Sequence, residues 1–359
     1  MTFSTPAIDY QPPRPDRCRR KIGLIGCGSI TESHLTAYRD MNLEVAALCD
    51  IDRDRAIAQR DAFYPDATVY TDQTALLARE DISVVDVATP PTVRPEIVGE
   101  AIDAGKHVLS QKPFVLDIDE GRELVERASD AGVKLAVNQN GRWSPQWRYC
   151  LDLAAAGHLG TLQTARFTEN WNHHWITETG FDGIDHAILY DYGIHWFDVI
   201  ATLFADHEPQ WVAASTARSP TQTASPPLLA QAIIAYDDIQ VSVCFDGHTC
   251  HGERHVTVVT GTDGTFVSDG PSLNDQTVTV HRADATYTPE LSGQWFTDGF
   301  AGAMGELLVA IAEDRPPEHA AAANLASLEL CFAAVAAAEE GTPVVPGDVR
   351  KLRGSGWTD

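Results

Sequence analysis

From Lys21 onward the chain alternates short apolar runs with longer amphipathic ones. KIGLIG, LEVAALCD, TVY, SVVDVAT, HVLS and VKLAVN read as strands. Between them, SITESHLTAYRDM, DRDRAIAQRDAF, TDQTALLARE, VRPEIVGEAIDAG and DIDEGRELVERASDAG carry the apolar spacing of helices. Strands alternating with helices predict a parallel sheet covered on both faces, with right-handed crossovers. After about residue 140 the rhythm changes. SPQWRYCLDLAAAG predicts a helix, LQTARFTENW a strand, and 188–204 a second helix. QWVAASTAR, LAQAIIAY, IQVSVCF, RHVTVVTG, GTFVSD and QTVTVHR follow as strands of a largely antiparallel sheet. Two Ala-rich helices close the chain near 296–313 and 319–340, and SPTQTASPPLL (219–229) reads as a long, mobile polar loop. The pattern predicts an α/β doubly wound domain over 21–139 and an α+β domain with an open, largely antiparallel sheet over 140–359. A Pro-rich arm over 1–20 precedes them, flexible and suited to docking on a neighbouring subunit.

Charge narrows the partners. The chain has 51 acidic and 26 basic residues, a net −25, and its only lysines are Lys21, Lys106, Lys112, Lys134 and Lys351. Such a surface stays dispersed when salt screens it, which suits a salty cytoplasm and a halophilic source. It also repels phosphate backbones, which excludes nucleic acid as a partner. Seven cysteines at irregular spacing point to a reduced, cytoplasmic compartment. No apolar run is expected to reach membrane-spanning length, so no membrane partner is expected.

The first strand runs into Gly26-Cys27-Gly28-Ser29-Ile30-Thr31. Gly26 permits a tight turn, Gly28 lets a pyrophosphate approach the backbone, and the helix opening at Ser29 and Ile30 offers unpaired N–H groups. Asp50 ends the second strand near the expected offset of about twenty residues, where a carboxylate accepts ribose hydroxyls. This favours NAD, although Arg53 close by can instead hold the 2′-phosphate of NADP. Two further strand ends, carrying Thr89-Pro90 and Gln111-Lys112, reach the same edge of the sheet, where open α/β sheets bind ligands, and these four residues are further cofactor-binding candidates. Lys112 is placed to reach a cleft; the plainer alternative is a surface lysine.

In ILYDYGIHWFD (188–198) an apolar segment carries Asp191, His195 and Asp198. On a helix Asp191 and His195 share a face, with Asp198 one turn further. Buried charge is costly unless paired, so the trio is either a satisfied polar knot in a core or a catalytic face.

The ordered set Gly26-Cys27-Gly28, Asp50, ThrProPro (89–91), AGKHVLSQKP (104–113) and DYGIHWFD (191–198) resembles the Gfo/Idh/MocA oxidoreductases over nearly all of the chain beyond residue 20. The resemblance implies a Rossmann domain joined to an open-sheet domain, and NAD(P)-linked oxidation of a CH–OH group of a sugar, sugar derivative or inositol. It implies Lys112, Asp191 and His195 as catalytic residues. His195 can take the hydroxyl proton as general base, Lys112 can stabilise the alkoxide or share the proton relay, and Asp191 can orient His195 or bind a neighbouring hydroxyl. Three positions depart from the family pattern: Gln111 replaces the usual Glu, Arg94 stands where His is common, and Thr31 occupies the third glycine position.

Around these residues, Asn140 and Arg142 either contact substrate or nicotinamide or close a hydrogen-bonded interdomain turn. In ENWNHHW (169–175) Trp171, His173 and Trp175 alternate with Asn172 and His174, so one set can stack on a sugar and bond its hydroxyls. His186 is a further substrate candidate. His248, Cys250, His251 and His255 match no common zinc spacing, so no metal is expected. The leading expectation is an NAD(P)-dependent sugar or polyol dehydrogenase, assembling as a homodimer or homotetramer through its second sheet. The alternatives are a glycosidase that retains NAD and oxidises transiently, and a non-catalytic nucleotide-binding regulator.

Overall fold

The computed structural model describes residues 7–15 and 20–352. The chain forms two compact units. Of the described residues, one unit contains 12–15, 20–143 and Phe296–Leu325; the other contains 7–11, Ser144–Trp295 and 326–352.

The first unit holds β1 (Lys21–Ile25), α1 (Thr31–Asp40), β2 (Glu44–Cys49), α2 (Arg53–Phe63), β3 (Thr68–Tyr70), α3 (Gln73–Leu77), β4 (Ile82–Val87), α4 (Arg94–Asp103), β5 (His107–Ser110), α5 (Ile118–Asp130) and β6 (Leu135–Val137). All pairings are parallel, in the order β3-β2-β1-β4-β5-β6. This is the doubly wound sheet that the pattern predicts, and its strand order reverses between β1 and β4. Aspartates start three of its helices: Asp52, Asp72 and Asp117 each accept backbone N–H groups of the first turn. The N-cap position of α1 is Ile30, which supplies no side-chain cap.

The sequence-based division at 139/140 places 296–325 with the second domain, whereas this segment clusters with the first unit. The reason is apolar burial. Phe300, Met304, Leu307 and Leu308 share one buried cluster with Ile22, Leu24, Leu35, Val45 and Leu48. Each such side chain contributes about 1.5–3 kcal/mol on burial.

The second unit begins with α6 (Pro145–Ala155) and β7 (Leu162–Asn170). A π turn over Ile188–Tyr192 leads into α7 (Ile194–Leu203). There follow β8 (Trp211–Ala217), β9 (Leu229–Ala235), β10 (Gln240–Asp246), β11 (Arg254–Gly261), β12 (Gly264–Ser272), β13 (Asp275–Arg282) and β14 (Thr286–Tyr287). The sheet order is β14-β13-β12-β11-β7-β10-β9-β8. Only β7 and β10 pair in parallel, so the sheet is largely antiparallel as expected. Side chains alternate: Ala165, Phe167 and Glu169 of β7 are buried, while Arg166 and Thr168 are exposed. Two helices end the chain, α8 (Trp295–Ala312) and α9 (Ala321–Glu340).

Three expectations change. The 219–229 loop is not loose: Gln222 is buried, donates to the carbonyls of Ala224 and Pro226, and accepts from the Ser219 and Leu228 amides. The side chain closes the loop on itself. Contrary to the expected absence of a membrane-length apolar run, α9 is long and apolar enough by length and composition, and most of it is buried as a core helix. In the N-terminal arm, Tyr10 packs edge-on against Tyr149, with ring centroids 6.1 Å apart, and its hydroxyl accepts the Ser292 N–H at 2.8 Å. Residues 1–6 and 16–19 of the arm, Cys18 included, lie outside the described residues; the other six cysteines are free.

Burial, with Arg20 and Lys134 nearby, pushes the His107 imidazole down from 6.5 to about 4. Its Nδ1 accepts the Lys134 N–H at 3.0 Å. The unfolded chain takes a proton that the folded chain resists, so this stability is present above pH 6.5 and is lost as pH falls toward about 4. Urea midpoints should therefore fall less steeply across that window in His107→Gln, which keeps an acceptor. Equal slopes would contradict this origin.

Candidate active site

The glycine turn joins β1 to α1. Gly26 has φ +97°, and a Cβ there would sit 2.8 Å from the Ala88 carbonyl, so only glycine fits without strain. Gly28 has no such constraint: a Cβ there would meet no protein atom within 4 Å. The chain does not require glycine at that position for its own packing; a phosphate brought against the backbone does. Thr31, the departure at the third glycine position, is fully buried, and its hydroxyl donates to the Gly26 carbonyl at 2.8 Å. It thus closes the turn from below. Asp50 accepts the Cys27 N–H at 2.7 Å on one oxygen and the Asp52 N–H at 2.8 Å on the other. A carboxylate has about four acceptor sites, so this anchored group keeps capacity for ribose hydroxyls. Ile51 beside it is 91% exposed, an apolar surface next to that carboxylate. Arg53, the first residue of α2, is exposed. These residues fit a dinucleotide, and the start of α1 at Ser29 and Ile30, which has no side-chain cap, could hold its phosphates.

Lys112 follows β5. Its backbone N–H donates to Gln111 Oε1 at 2.7 Å. Arg94 is buried at the start of α4, and its guanidinium donates to the carbonyls of Thr89 (2.9 Å), Gln111 (2.8 Å) and Pro113. It therefore clasps the chain on both sides of Lys112 and ties it to the Thr89-Pro90 turn after β4. Beneath this clasp lies a buried polar group that the sequence pattern did not single out. His34 Nδ1 lies 2.6 Å from Asp86 Oδ2, Tyr38 donates to that same oxygen at 2.6 Å, and Gln111 Nε2 lies 3.0 Å from His34 Nε2. A histidine inside an amphipathic helix and an aspartate inside SVVDVAT were the available signals.

In the second unit the expected regular helix over 188–204 is interrupted. Gly193 N–H donates to the Ile188 carbonyl at 2.8 Å, a π-type bond, before α7 starts. Such inserted turns re-aim side chains and are frequent at functional sites. Asp191 lies in the π turn, half-buried, and His195 in the first turn of α7, 6% exposed. The simple spacing of Asp191 and His195 along one continuous helix therefore does not hold. His195 packs edge-on against Trp295, centroids 4.9 Å apart. Asp198 accepts a hydrogen bond from Ser327 at 3.0 Å and joins α7 to α9.

Trp171, His173 and Trp175 come together. Both indoles donate to His173 Nδ1, at 2.8 and 3.3 Å. An indole N–H only donates, so Nδ1 holds a lone pair and the ring proton of the neutral imidazole is on Nε2. Trp171 stacks on Tyr192 at 4.3 Å, and Trp175 is 56% exposed. On the other side of this segment, His174 stacks on His248 at 4.3 Å. His255 pairs with Glu169 at 2.5 Å, and Trp196 donates to the other Glu169 oxygen at 2.9 Å. Burial pushes Glu169 above the usual carboxylate range, against the opposing pull of His255. Glu169 was not singled out in sequence; a carboxylate in register with buried Ala165 and Phe167 was its signal.

The remaining candidates are placed differently. Asn140 and Arg142 are buried in a 3-10 turn over Asn140–Trp143, and Arg142 donates to the Glu318 carbonyl at 2.7 Å. His186 lies 3.3 Å from Glu339 through Nε2.

Residues 20–139 match the family model described as Gfo/Idh/MocA oxidoreductase, NAD-binding Rossmann fold, and residues 147–267 match the Gfo/Idh/MocA C-terminal domain. The chain belongs to the Gfo/Idh/MocA oxidoreductase family. It is 34% identical over 204 residues to D-apiose dehydrogenase of Paraburkholderia graminis, covering 56% of this chain and 53% of that one. The chain spans about half the length of the curated relatives it matches. An oxidoreductase from Agrobacterium radiobacter, solved with NAD+, L-tartaric acid and magnesium, superposes with TM-score 0.82 at 22% identity, over 92% of this chain and 99% of that one. Levoglucosan dehydrogenase, solved with NADH and levoglucosan, superposes with TM-score 0.78 at 20% identity, over 92% and 100%. At these identities the likeness to the solved structures is one of fold.

The two glycines separate scaffold from ligand. Gly26→Ala should destabilise the chain by about 2 kcal/mol through backbone strain. Gly28→Ala should melt within about 2 °C of wild type yet weaken NADH binding at least about tenfold. Wild-type affinity in Gly28→Ala would mean that the open turn receives no phosphate.

Proposed function

We propose that this protein is an NAD-dependent dehydrogenase acting on a CH–OH group of a sugar or polyol. The observation that carries the cofactor half is the Gly28 turn, open where the chain's own packing leaves glycine unnecessary. Asp50, anchored by two backbone N–H groups, cannot swing away from a 2′-phosphate, and this supports NAD over NADP. For the substrate half, the exposed Trp175 indole offers a face to sugar C–H groups. Family membership supports the reading, as do the sugar-linked names of the relatives.

Bound NAD supplies the hydride acceptor. The chain's own residues handle the proton. As the family resemblance implies, His195 acts as general base for the hydroxyl proton while the carbinol carbon gives up hydride, and the Lys112 ammonium stabilises negative charge on the alkoxide. Asp191 orients His195 or accepts from a neighbouring hydroxyl.

A panel of D-apiose, levoglucosan and inositols with NAD, followed as NADH formation, tests the reading. Lys112→Met should abolish turnover while holding NADH affinity within about threefold of wild type. Surviving turnover would remove Lys112 from the mechanism.

A further inference from the structure

We infer that His34 is a positioning residue for Lys112, acting through Gln111, and that the neutral tautomer of His34 is matched to glutamine rather than glutamate at 111. The inference rests on the reading that Lys112 serves catalysis.

The hydrogen bonds run in one direction. His34 and Asp86 are fully buried, and Gln111 is 5% exposed. Burial and the neighbouring Asp86 hold the Tyr38 phenol well above its ordinary range, so it stays protonated and donates to Asp86 Oδ2 at 2.6 Å. The second partner of that oxygen, His34 Nδ1 at 2.6 Å, must also donate. The Lys112 N–H can only donate, so it holds Gln111 Oε1 toward itself and leaves the Gln111 amide N–H facing the ring, and His34 Nε2 must therefore present a lone pair. Gln111 Nε2 donates to it at 3.0 Å, with Asn138 Nδ2 at 3.3 Å. Gln111 thus bridges His34 and the Lys112 N–H, which its oxygen accepts at 2.7 Å.

A glutamate at 111 could still accept from Lys112. Its second oxygen would then face the His34 lone pair, which is repulsive until His34 takes a second proton. Asp86 from β4, Tyr38 from α1, Gln111, Asn138 and the Phe300 ring (centroid 4.8 Å) surround the imidazole. Among these only Asp86 and Tyr38 titrate. The glutamine thus lets the support of Lys112 work with an uncharged histidine.

Two measurements on the full chain test this. In [15N]histidine-labelled protein without added nucleotide, with the His34 signals assigned by their loss in His34→Gln, Nδ1 should be protonated and Nε2 bare from about pH 6 to about pH 8. An imidazolium or an Nε2-protonated ring there overturns the inference. In kinetics on whichever panel sugar is turned over, Gln111→Met should lower kcat about tenfold to a hundredfold at every pH. Gln111→Glu should match wild type best at low pH and lose kcat relative to it as pH rises and the imidazolium it needs disappears. A Gln111→Glu to wild-type ratio that stays flat with pH, or a folded Gln111→Met with wild-type kcat, overturns it. Failure of every sugar counts against the dehydrogenase reading alone, because the tautomer is read without substrate.

Discussion

The guanidinium of Arg94 is a buried cation whose hydrogen bonds include those to the carbonyls of Thr89, Gln111 and Pro113. A charge removed from water is tolerable only when its donors are used, and unpaired carbonyls at strand ends carry the same cost. Each need satisfies the other. The consequence is that the turns after β4 and β5 cannot move independently, and Lys112 sits between two residues whose carbonyls are held. Removing the cation would leave those carbonyls short of donors and Lys112 on a loosened loop.

Seen from Arg94, the three departures from the family pattern have physical roles. Arg94 clasps the backbone, Gln111 joins Lys112 to the His34 pair, and Thr31 bonds the Gly26 carbonyl under the glycine turn. The second unit uses similar means around a different centre. Glu169, buried by the strand alternation of β7, accepts from Trp196 and pairs with His255. Trp196 neighbours His195 in sequence and packs within a Trp147, Trp196 and Trp295 cluster, whose Trp295 meets His195 edge-on. A single buried carboxylate therefore anchors the aromatic setting of the histidine.

Much of this was legible in sequence where the signal was local. The strand–glycine–helix order exposed the parallel sheet and the Gly26–Gly28 turn, and Asp50 lay at the expected strand end. What was not legible depended on distant partners. That 296–325 packs with the first unit follows from an apolar match between Phe300, Met304 and the β1–β2 core, which no local period announces. The π turn before α7 is invisible to a helical periodicity that reads ILYDYGIHWFD as one helix. His34 looked like an ordinary helix residue and Arg94 stood out only as a departure from the family pattern, because their roles come from carbonyls and carboxylates far along the chain.

The central claim is that the β1–α1 turn and Asp50 bind NAD. The direct measurement is fluorescence titration of cofactor-stripped, full-length protein with NADH and with NADPH, after assaying cofactor carried through purification. Potassium chloride should be present, because a net charge of −25 makes carboxylate repulsion strong at low salt. Saturable NADH binding, with NADPH weaker by at least about tenfold, is the predicted result. Binding of neither by folded protein, or tighter binding of NADPH, would contradict it.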